Sequence, residues 1–227
     1  MHAGCGRAGG MDMAYRLLIF DLDGTLADSF PWFLQVVNSV ADRHGFRRIE
    51  AHEVDALRGL GSREIAKHMG VPAWKLPFIA KDMRTLKATA ATPLFPGVEA
   101  MLETLSQRNQ ILALVTSDAE ENARRTLGPL VRHIAYFDCG ASLFGKAAKF
   151  KRLLSRTGVT PDQAIAIGDE VRDIEAAHKA GIDFGAVSWG YAKLEAIQKH
   201  HPKMVFSSVQ EIVTKLIAGQ NPRNSQD

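Results

Sequence analysis

The sequence predicts an α/β protein, a doubly wound, Rossmann-like parallel sheet core with an inserted α-helical cap. Short apolar runs recur along the chain, and each ends in polar residues or glycine. Amphipathic helical patterns separate these runs, as in repeated β-α units. A long stretch between the first run and Pro96 has helical patterns and no convincing strand. We therefore expect one sheet domain interrupted by a helical insertion.

The first predicted strand covers residues 15–20, a nearly all-apolar run followed by an acidic cluster. Such a run is typical of a strand buried on both faces of a parallel sheet. Further predicted strands cover residues 111–116, 164–168 and 184–188, with weaker candidates at 134–138 and 204–206. In a doubly wound sheet, ligands bind beyond the carboxyl ends of the strands, so polar residues there should share one site.

Helix boundary signals accompany the sheet pattern. Pro96 and Gly97 precede a predicted helix at 98–105, and Ser208 with Glu211 predicts a capping box before 212–217.

Similar signals divide the insertion. Asp28 or Ser29 is predicted to cap a helix at 32–44 that Gly45 ends, Ser62 to cap one at 63–69, and Pro77 to kink or divide the following segment.

These signals predict a core at 15–28 and 93–218, with a cap at 29–92 that could close over the strand ends. Residues 1–14, rich in Gly and Ala, are predicted to be a flexible leader, and residues 219–227 a flexible tail.

Composition narrows the possible partners. The 227 residues include 28 basic and 25 acidic side chains, and this near balance gives no reason to expect nucleic acid binding. Cys5 and Cys139 lie far apart and lack metal-ligand spacing, so neither a disulfide nor a zinc site is expected. No apolar run approaches the roughly 18 residues of a membrane span. The prediction is a cytoplasmic protein, monomer or homodimer, without membrane contact.

The strongest chemical signal is the pair Asp21 and Asp23, which directly follows the first strand. Two carboxylates roughly 4 Å apart repel by about 4 kcal/mol at an effective dielectric of 20, so they need a cation or a shared proton. Magnesium commonly binds one or two carboxylates together with substrate phosphate. An isolated Asp-x-Asp is also common in solvated turns and helix caps, and this alternative stays open for the pair alone.

Polar residues also follow two later strands. Thr116 ends the strand at 111–116 and offers a hydroxyl for a phosphoryl oxygen. Asp169 follows the strand at 164–168 as a metal-ligand candidate, and Asp173 one helical turn later as a supporting partner. The alternatives are a helix cap for Thr116 and an acidic first helical turn for the two aspartates.

A basic segment precedes the strand at 164–168, with Lys146, Lys149, Lys151 and Arg152. One lysine at the site would offset the negative charge of the carboxylates and a phosphate. Lys146 is favoured because it follows Gly145 at the predicted helix start, and Lys149 is the alternative.

Taken together, these pieces resemble the haloacid dehalogenase superfamily over residues 15 to about 217. Its motifs are matched in order by residues 20–26, Thr116, Lys146 or Lys149, and Gly168-Asp169 with Asp173. The third motif departs from the pattern, because Ala147 stands where this branch often has proline, so the choice of lysine stays open. The segment 173–177 with Ala180-Gly181 resembles the phosphoglycolate-phosphatase-like branch, which has a helical cap.

The resemblance implies a magnesium-dependent phosphomonoester hydrolase. Asp21 would attack phosphorus, while Asp23 would protonate the leaving oxygen and then activate water. Mg²⁺ would bind the carboxylates of Asp21 and Asp169 and the backbone carbonyl of Asp23, with Asp173 in support. Thr116 and the lysine would stabilise the transferring oxygens.

The substrate implied is a small phosphorylated metabolite, with phosphoglycolate as one candidate. The predicted contacts are the backbone around Leu22 and Gly24, together with Thr25, Ser117 and, from the cap, Arg58. For Arg58 the alternative is a solvated residue in a helix-connecting turn.

Several alternatives remain. A dehalogenase is disfavoured because the resemblance includes Asp23, which carbon–halogen cleavage does not need. A phosphonate-cleaving enzyme would need a reactive cap lysine, and Lys67, Lys75, Lys81 and Lys87 show no signal beyond surface charge. A phosphomutase and a non-catalytic phospho-ligand binding or regulatory module stay open.

Overall fold

The computed structural model describes residues 15–140 and 145–218. The predicted leader at 1–14 and tail at 219–227 lie outside the described residues. Six strands form one sheet in the order β3-β2-β1-β4-β5-β6, and every pairing is parallel. The strands are β1 Leu17–Phe20, β2 Ile111–Val115, β3 Tyr136–Asp138, β4 Ala164–Gly168, β5 Asp183–Val187 and β6 Met204–Phe206. The doubly wound α/β core is confirmed, and all six predicted strands are present, with ends that differ by at most two residues.

The central strand β1 determines where the site forms. Its last residue, Phe20, lies opposite Leu114 of β2 and Ile167 of β4. Residues that follow these three strands therefore meet at one edge of the sheet, as expected for parallel strands.

Both faces of the sheet are buried, which explains why its strands are continuous apolar runs. Leu18 and Phe20 of β1 belong to one apolar cluster, and Leu17 and Ile19 belong to the cluster on the opposite face.

The described residues contain ten α-helices. They are α1 Phe30–His44, α2 Val54–Leu57, α3 Ser62–His68, α4 Leu76–Lys87, α5 Val98–Ser106, α6 Glu120–Leu127, α7 Gly145–Thr157, α8 Val171–Ala180, α9 Leu194–Gln198 and α10 Val209–Ala218. None of them is both long and apolar enough to cross a membrane.

Helices α1 to α4 form the insertion between β1 and α5, which we call the helical cap. It has a small apolar cluster of its own, made by Val37, Ile49, Leu57 and Met69. The two connections to the core run side by side, since the Asp28 N–H donates to the Pro93 carbonyl at 2.8 Å. This pairing lies at the predicted boundaries of cap and core.

Three predicted boundaries in the cap need correction. Helix α1 begins at Phe30, and Ser29 precedes it without capping it through its side chain. Helix α3 begins at Ser62 itself, because Glu64 accepts a hydrogen bond from the Gly61 N–H at 2.9 Å and so caps this end. Pro77 lies in the first turn of α4, where a missing N–H costs nothing, so it starts a helix and does not kink one.

The Gly45 prediction is confirmed, and the capping box at Ser208 is present in altered form. Gly45 ends α1 in a left-handed conformation, as predicted. Ser208 accepts a hydrogen bond from the Glu211 N–H at 3.3 Å, but the Glu211 carboxylate accepts from the Ser207 N–H at 2.9 Å, one residue earlier than in the predicted box.

Candidate active site

Three buried carboxylates meet at the carboxyl end of the sheet. Asp21 follows β1, Asp169 follows β4, and Asp173 lies in the first turn of α8. One oxygen from each lies within 4.8 Å of the others. Three carboxylates this close repel one another strongly, so the cluster needs positive charge.

Asp21 has a defined partner for each carboxylate oxygen. Its Oδ1 accepts a hydrogen bond from the Leu22 N–H at 2.8 Å, and its Oδ2 accepts one from Lys146 Nζ at 2.6 Å. Burial raises the pKa of Asp21 to about 6, although Lys146 opposes the shift. The carboxylate is thus held in one orientation, with an ammonium beside it.

Lys146 bridges two of the three carboxylates, because its Nζ also donates to Asp173 Oδ1 at 2.6 Å. Burial alone would lower the pKa of Lys146, but Asp173 and Asp21 outweigh burial and raise it. The lysine therefore stays charged in the cluster.

The alternative lysine, Lys149, lies elsewhere. Its Nζ donates to the backbone carbonyls of Thr116, Asp138 and Gly140 at 2.8, 3.0 and 2.7 Å. Burial lowers the pKa of Lys149. These bonds tie together the ends of β2 and β3, and they leave the position beside Asp21 to Lys146.

Asp169 is fully buried and held on both sides. Its Oδ1 accepts from Thr25 Oγ1 at 2.9 Å, and its Oδ2 accepts from the Tyr191 N–H at 2.7 Å. Burial, followed by the nearby charges of Glu170 and Asp21, raises the pKa of Asp169 well above its usual range. The donor set is all oxygen, and its three carboxylates outnumber the one ammonium in contact with them, that of Lys146, which suits a hard divalent cation such as Mg²⁺.

The predicted substrate contacts that follow Asp21 have hydrogen-bond partners within the protein. The Thr25 hydroxyl is fully buried and donates to Asp169, so it orients that carboxylate. The Leu22 N–H is bound to Asp21 Oδ1, and the Gly24 N–H donates to the Ala27 carbonyl at 2.9 Å. These bonds fix the backbone beside Asp21, and a role of its amides toward a phosphate stays a prediction.

Two glycines leave room for Asp169. Gly24 has φ +74°, a conformation that favours glycine, and a Cβ there would lie 2.1 Å from Asp169 Oδ2. A Cβ on Gly190 would lie 2.1 Å from the Asp169 Cβ. Sequence reasoning assigned no role to Gly190, because no motif marks it and its contact with Asp169 depends on the fold.

Gly190→Ala is expected to displace Asp169, and a displacement of about 1 Å can lower kcat/KM by about a hundredfold. The measurement is phosphomonoester turnover by the purified variant. Gly61→Ala is the matched control, because its Cβ would lie 3.5 Å from the nearest atom, Glu64 Oε2. Turnover by Gly190→Ala within about twofold of the control would contradict the role given to this glycine.

The residues after β2 divide into a buried and an exposed group. Thr116 is buried, and its Oγ1 accepts from the Asp118 N–H at 3.1 Å, which leaves the hydroxyl proton free to be donated. Ser117 is exposed. The position of Thr116 agrees with the prediction, while Ser117 has no described contact that assigns it a role.

Asp23 lies outside the carboxylate cluster, so its side chain does not join the predicted metal ligands. Its Oδ1 instead accepts a hydrogen bond from Lys87, the last residue of α4. Lys87 is buried and lies 3.0 Å from Asp118 Oδ2 as well. The expectation that Lys87 is a surface charge is wrong, and nothing in the sequence near it distinguishes it from the other cap lysines.

Arg58 joins the cap to the loop that holds Asp169. Its Nε and Nη2 donate to the carbonyls of Tyr191 and Gly190, both at 2.9 Å. The guanidinium carbon lies 5.2 Å from the Phe30 ring centroid, within cation–π range. The described bonds of Arg58 connect cap and core, and its contact with a substrate stays a prediction.

The comparisons with known proteins agree with this geometry. The family model described as haloacid dehalogenase-like hydrolase matches residues 18–187. Phosphoglycolate phosphatase of Synechococcus elongatus is 30% identical over 209 residues, which cover 89% of this chain and 99% of that protein.

Two further matches differ in kind. Tyrosine-protein kinase PtkA of Mycobacterium tuberculosis is 30% identical over 202 residues, covering 81% of this chain and 66% of the kinase. A crystal structure described as a predicted phosphatase from Clostridium acetobutylicum has a TM-score of 0.77 at 19% identity and covers 90% of this chain and 99% of that one. The structural match supports the fold, and the sequence matches support the relationship.

Proposed function

Because the chain belongs to the haloacid dehalogenase-like hydrolase family, we propose that it is a magnesium-dependent phosphomonoester hydrolase acting through a phosphorylated Asp21. Membership of this family and the phosphoglycolate phosphatase relatives identify the chain as a phosphatase enzyme. We propose its metal, its intermediate and the roles of its residues. The observation that carries it is the contact of Lys146 with Asp21 and Asp173 inside the buried carboxylate cluster.

Asp21 is the proposed nucleophile. In the first step its carboxylate oxygen bonds to phosphorus, the bond to the leaving oxygen breaks, and Asp23 gives that oxygen a proton. In the second step the water oxygen bonds to phosphorus, the bond to Asp21 breaks, and Asp23 takes the water proton. Two displacements replace one difficult displacement, and Asp23 is deprotonated when the second step needs a base.

The proposed metal ligands are the carboxylates of Asp21 and Asp169, supported by Asp173. Their buried, all-oxygen donor set, with pKa values of Asp21 and Asp169 raised by burial, fits Mg²⁺. When bound, the ion would supply positive charge for the phosphoryl oxygens. Lys146 contributes a fixed positive charge of the chain itself, and the Thr116 hydroxyl can donate to a phosphoryl oxygen.

The proposed substrate is a small phosphorylated metabolite, and phosphoglycolate is the first to test because relatives bear that name. One relative is named a tyrosine-protein kinase, and that name denotes phosphoryl transfer to an acceptor other than water. The helical cap, at residues 29–92 in this proposal, would close over the site and limit which acceptor reaches the phosphoryl group.

The experiment is a panel of phosphomonoesters with Mg²⁺, covering phosphoglycolate, sugar phosphates and nucleoside monophosphates. We expect release of inorganic phosphate, and acid quenching during turnover should trap phosphate on the peptide that contains Asp21. Transfer to a second substrate without release of phosphate would favour a phosphomutase, and binding without turnover would favour the binding module.

A further inference from the structure

Lys87 of the cap is a buried cation in contact with Asp23, the proposed acid/base residue of the core. Lys87, the last residue of α4, is 4% exposed and lies between two carboxylates, those of Asp23 and Asp118. A lysine is almost never buried this deeply unless it is paired. The prediction of a surface charge does not explain why Lys87 is buried between these two carboxylates.

The core holds Lys87 in place. Arg125 Nη2 donates to the backbone carbonyl of Lys87 at 2.8 Å, and Asn122 Nδ2 donates to that of Arg84 at 3.1 Å. Both donors lie on α6, a core helix. These two hydrogen bonds fix the carboxyl end of α4 to the core.

Lys87 has different consequences for its two partners. Asp118 is buried and its Oδ1 accepts from the Ala119 N–H and from Asn122 Nδ2 at 2.7 and 2.8 Å. Among the residues that the structure describes, the one partner of its Oδ2 is the Lys87 ammonium, at 3.0 Å. Removing Lys87 alone would leave a buried charge without compensation, which is strongly destabilising.

The side chain of Asp23 depends on Lys87 for its orientation. It is 26% exposed, and Lys87 is the one donor that bonds to it among residues 15–140 and 145–218. Without that donor the carboxylate could rotate among its rotamers. Proton transfer to the leaving oxygen and from water requires a positioned carboxylate.

We propose that Lys87 is a positioning residue that holds the carboxylate of Asp23 for both proton transfers. The proposal rests on the function proposed above. It differs from a purely structural role, in which Lys87 only neutralises Asp118.

The test separates these two roles with the double variant Lys87→Met/Asp118→Asn, compared with Asp118→Asn alone. The double variant leaves no buried unpaired carboxylate, so it should fold. We expect its kcat to be at least about tenfold below that of Asp118→Asn, with KM within about twofold, as when an interaction needed only in the transition state is lost. Lys81→Met, exposed on the same helix, is the control for a lysine lost from α4.

Two results would overturn the proposal. A kcat within about twofold of Asp118→Asn would leave Lys87 a structural role only, and a raised KM with unchanged kcat would place Lys87 against the substrate. Asp21→Asn, assayed in parallel, separates the failure of this proposal from that of the proposed function. Turnover retained in Asp21→Asn contradicts the nucleophile, whereas turnover lost there and kept in the double variant contradicts the role of Lys87 alone.

Discussion

Asp21→Asn is expected to lower kcat by on the order of 10⁴ or more, which corresponds to about 5.5 kcal/mol of transition-state stabilisation. The amide cannot form the bond to phosphorus that the proposed first step requires. Steady-state phosphate release and trapping of the phosphorylated peptide would both measure the loss.

The same variant is expected to fold normally. Because burial raises the pKa of Asp21 to about 6, above that of an exposed aspartate, the ionised carboxylate costs stability at neutral pH in the metal-free protein. This cost diminishes as the pH falls through about 6, and Asn removes it. Thermal unfolding of the metal-free variant at pH 7 should therefore occur at or above the wild-type temperature.

Asp42→Asn is the matched control, since Asp42 is exposed in the cap and pairs with the exposed Arg48. It should keep full activity. A loss of less than about tenfold in Asp21→Asn would contradict covalent catalysis by this residue, because a water-attack mechanism would tolerate the change better.

The core could be predicted from sequence because its signals are local. A strand buried on both faces is an apolar run, and the polar residue after it lies at the carboxyl edge of a parallel sheet. Asp21, Thr116 and Asp169 follow three adjacent strands, so their positions follow from pattern and topology alone. Lys146 was favoured on a helix-start argument, and the structure places it against Asp21.

The cap contribution could not be predicted because it depends on how the cap packs on the core. Lys87 and Asp23 are far apart in sequence, and two hydrogen bonds from α6 hold the end of α4 where they meet. The sequence predicts a substrate contact for Arg58, and in the structure its guanidinium donates to the carbonyls of Gly190 and Tyr191. Side chains that join two units leave no periodic pattern from which their partners can be identified.

Thr25 and Gly24 have contacts within the protein that the sequence did not predict, for a different reason. Both belong to a matched family motif, and the motif predicts that they contact the substrate. The structure shows that Thr25 donates to Asp169 and that Gly24 leaves space for it. A motif specifies which residue types occur together, but the hydrogen bonds decide which group contacts the ligand and which orients its neighbours.

Removal of Mg²⁺ by excess EDTA is expected to abolish phosphate release, and restoring Mg²⁺ should recover it. In the cluster of Asp21, Asp169 and Asp173, three buried carboxylates share the contacting ammonium of Lys146, with the Arg172 guanidinium nearby. A ligand at about 100 times its Kd stabilises the folded state by about 2.7 kcal/mol. For a chain of this size that corresponds to a rise in Tm of roughly 5–10 °C, measurable without any substrate.

Asp169→Asn links the rise in Tm to this cluster. Replacing one of three mutually repelling carboxylates should leave the metal-free protein at least as stable as wild type, since burial and neighbouring charges raise the pKa of Asp169. The variant should then lose the Mg²⁺-dependent rise, while Asp42→Asn, distant from the cluster, keeps it. An equal Mg²⁺-dependent rise in Tm in Asp169→Asn would show that the ion binds elsewhere. Full turnover in excess EDTA would show that the reaction does not need Mg²⁺ and would leave Lys146 as the cation at Asp21.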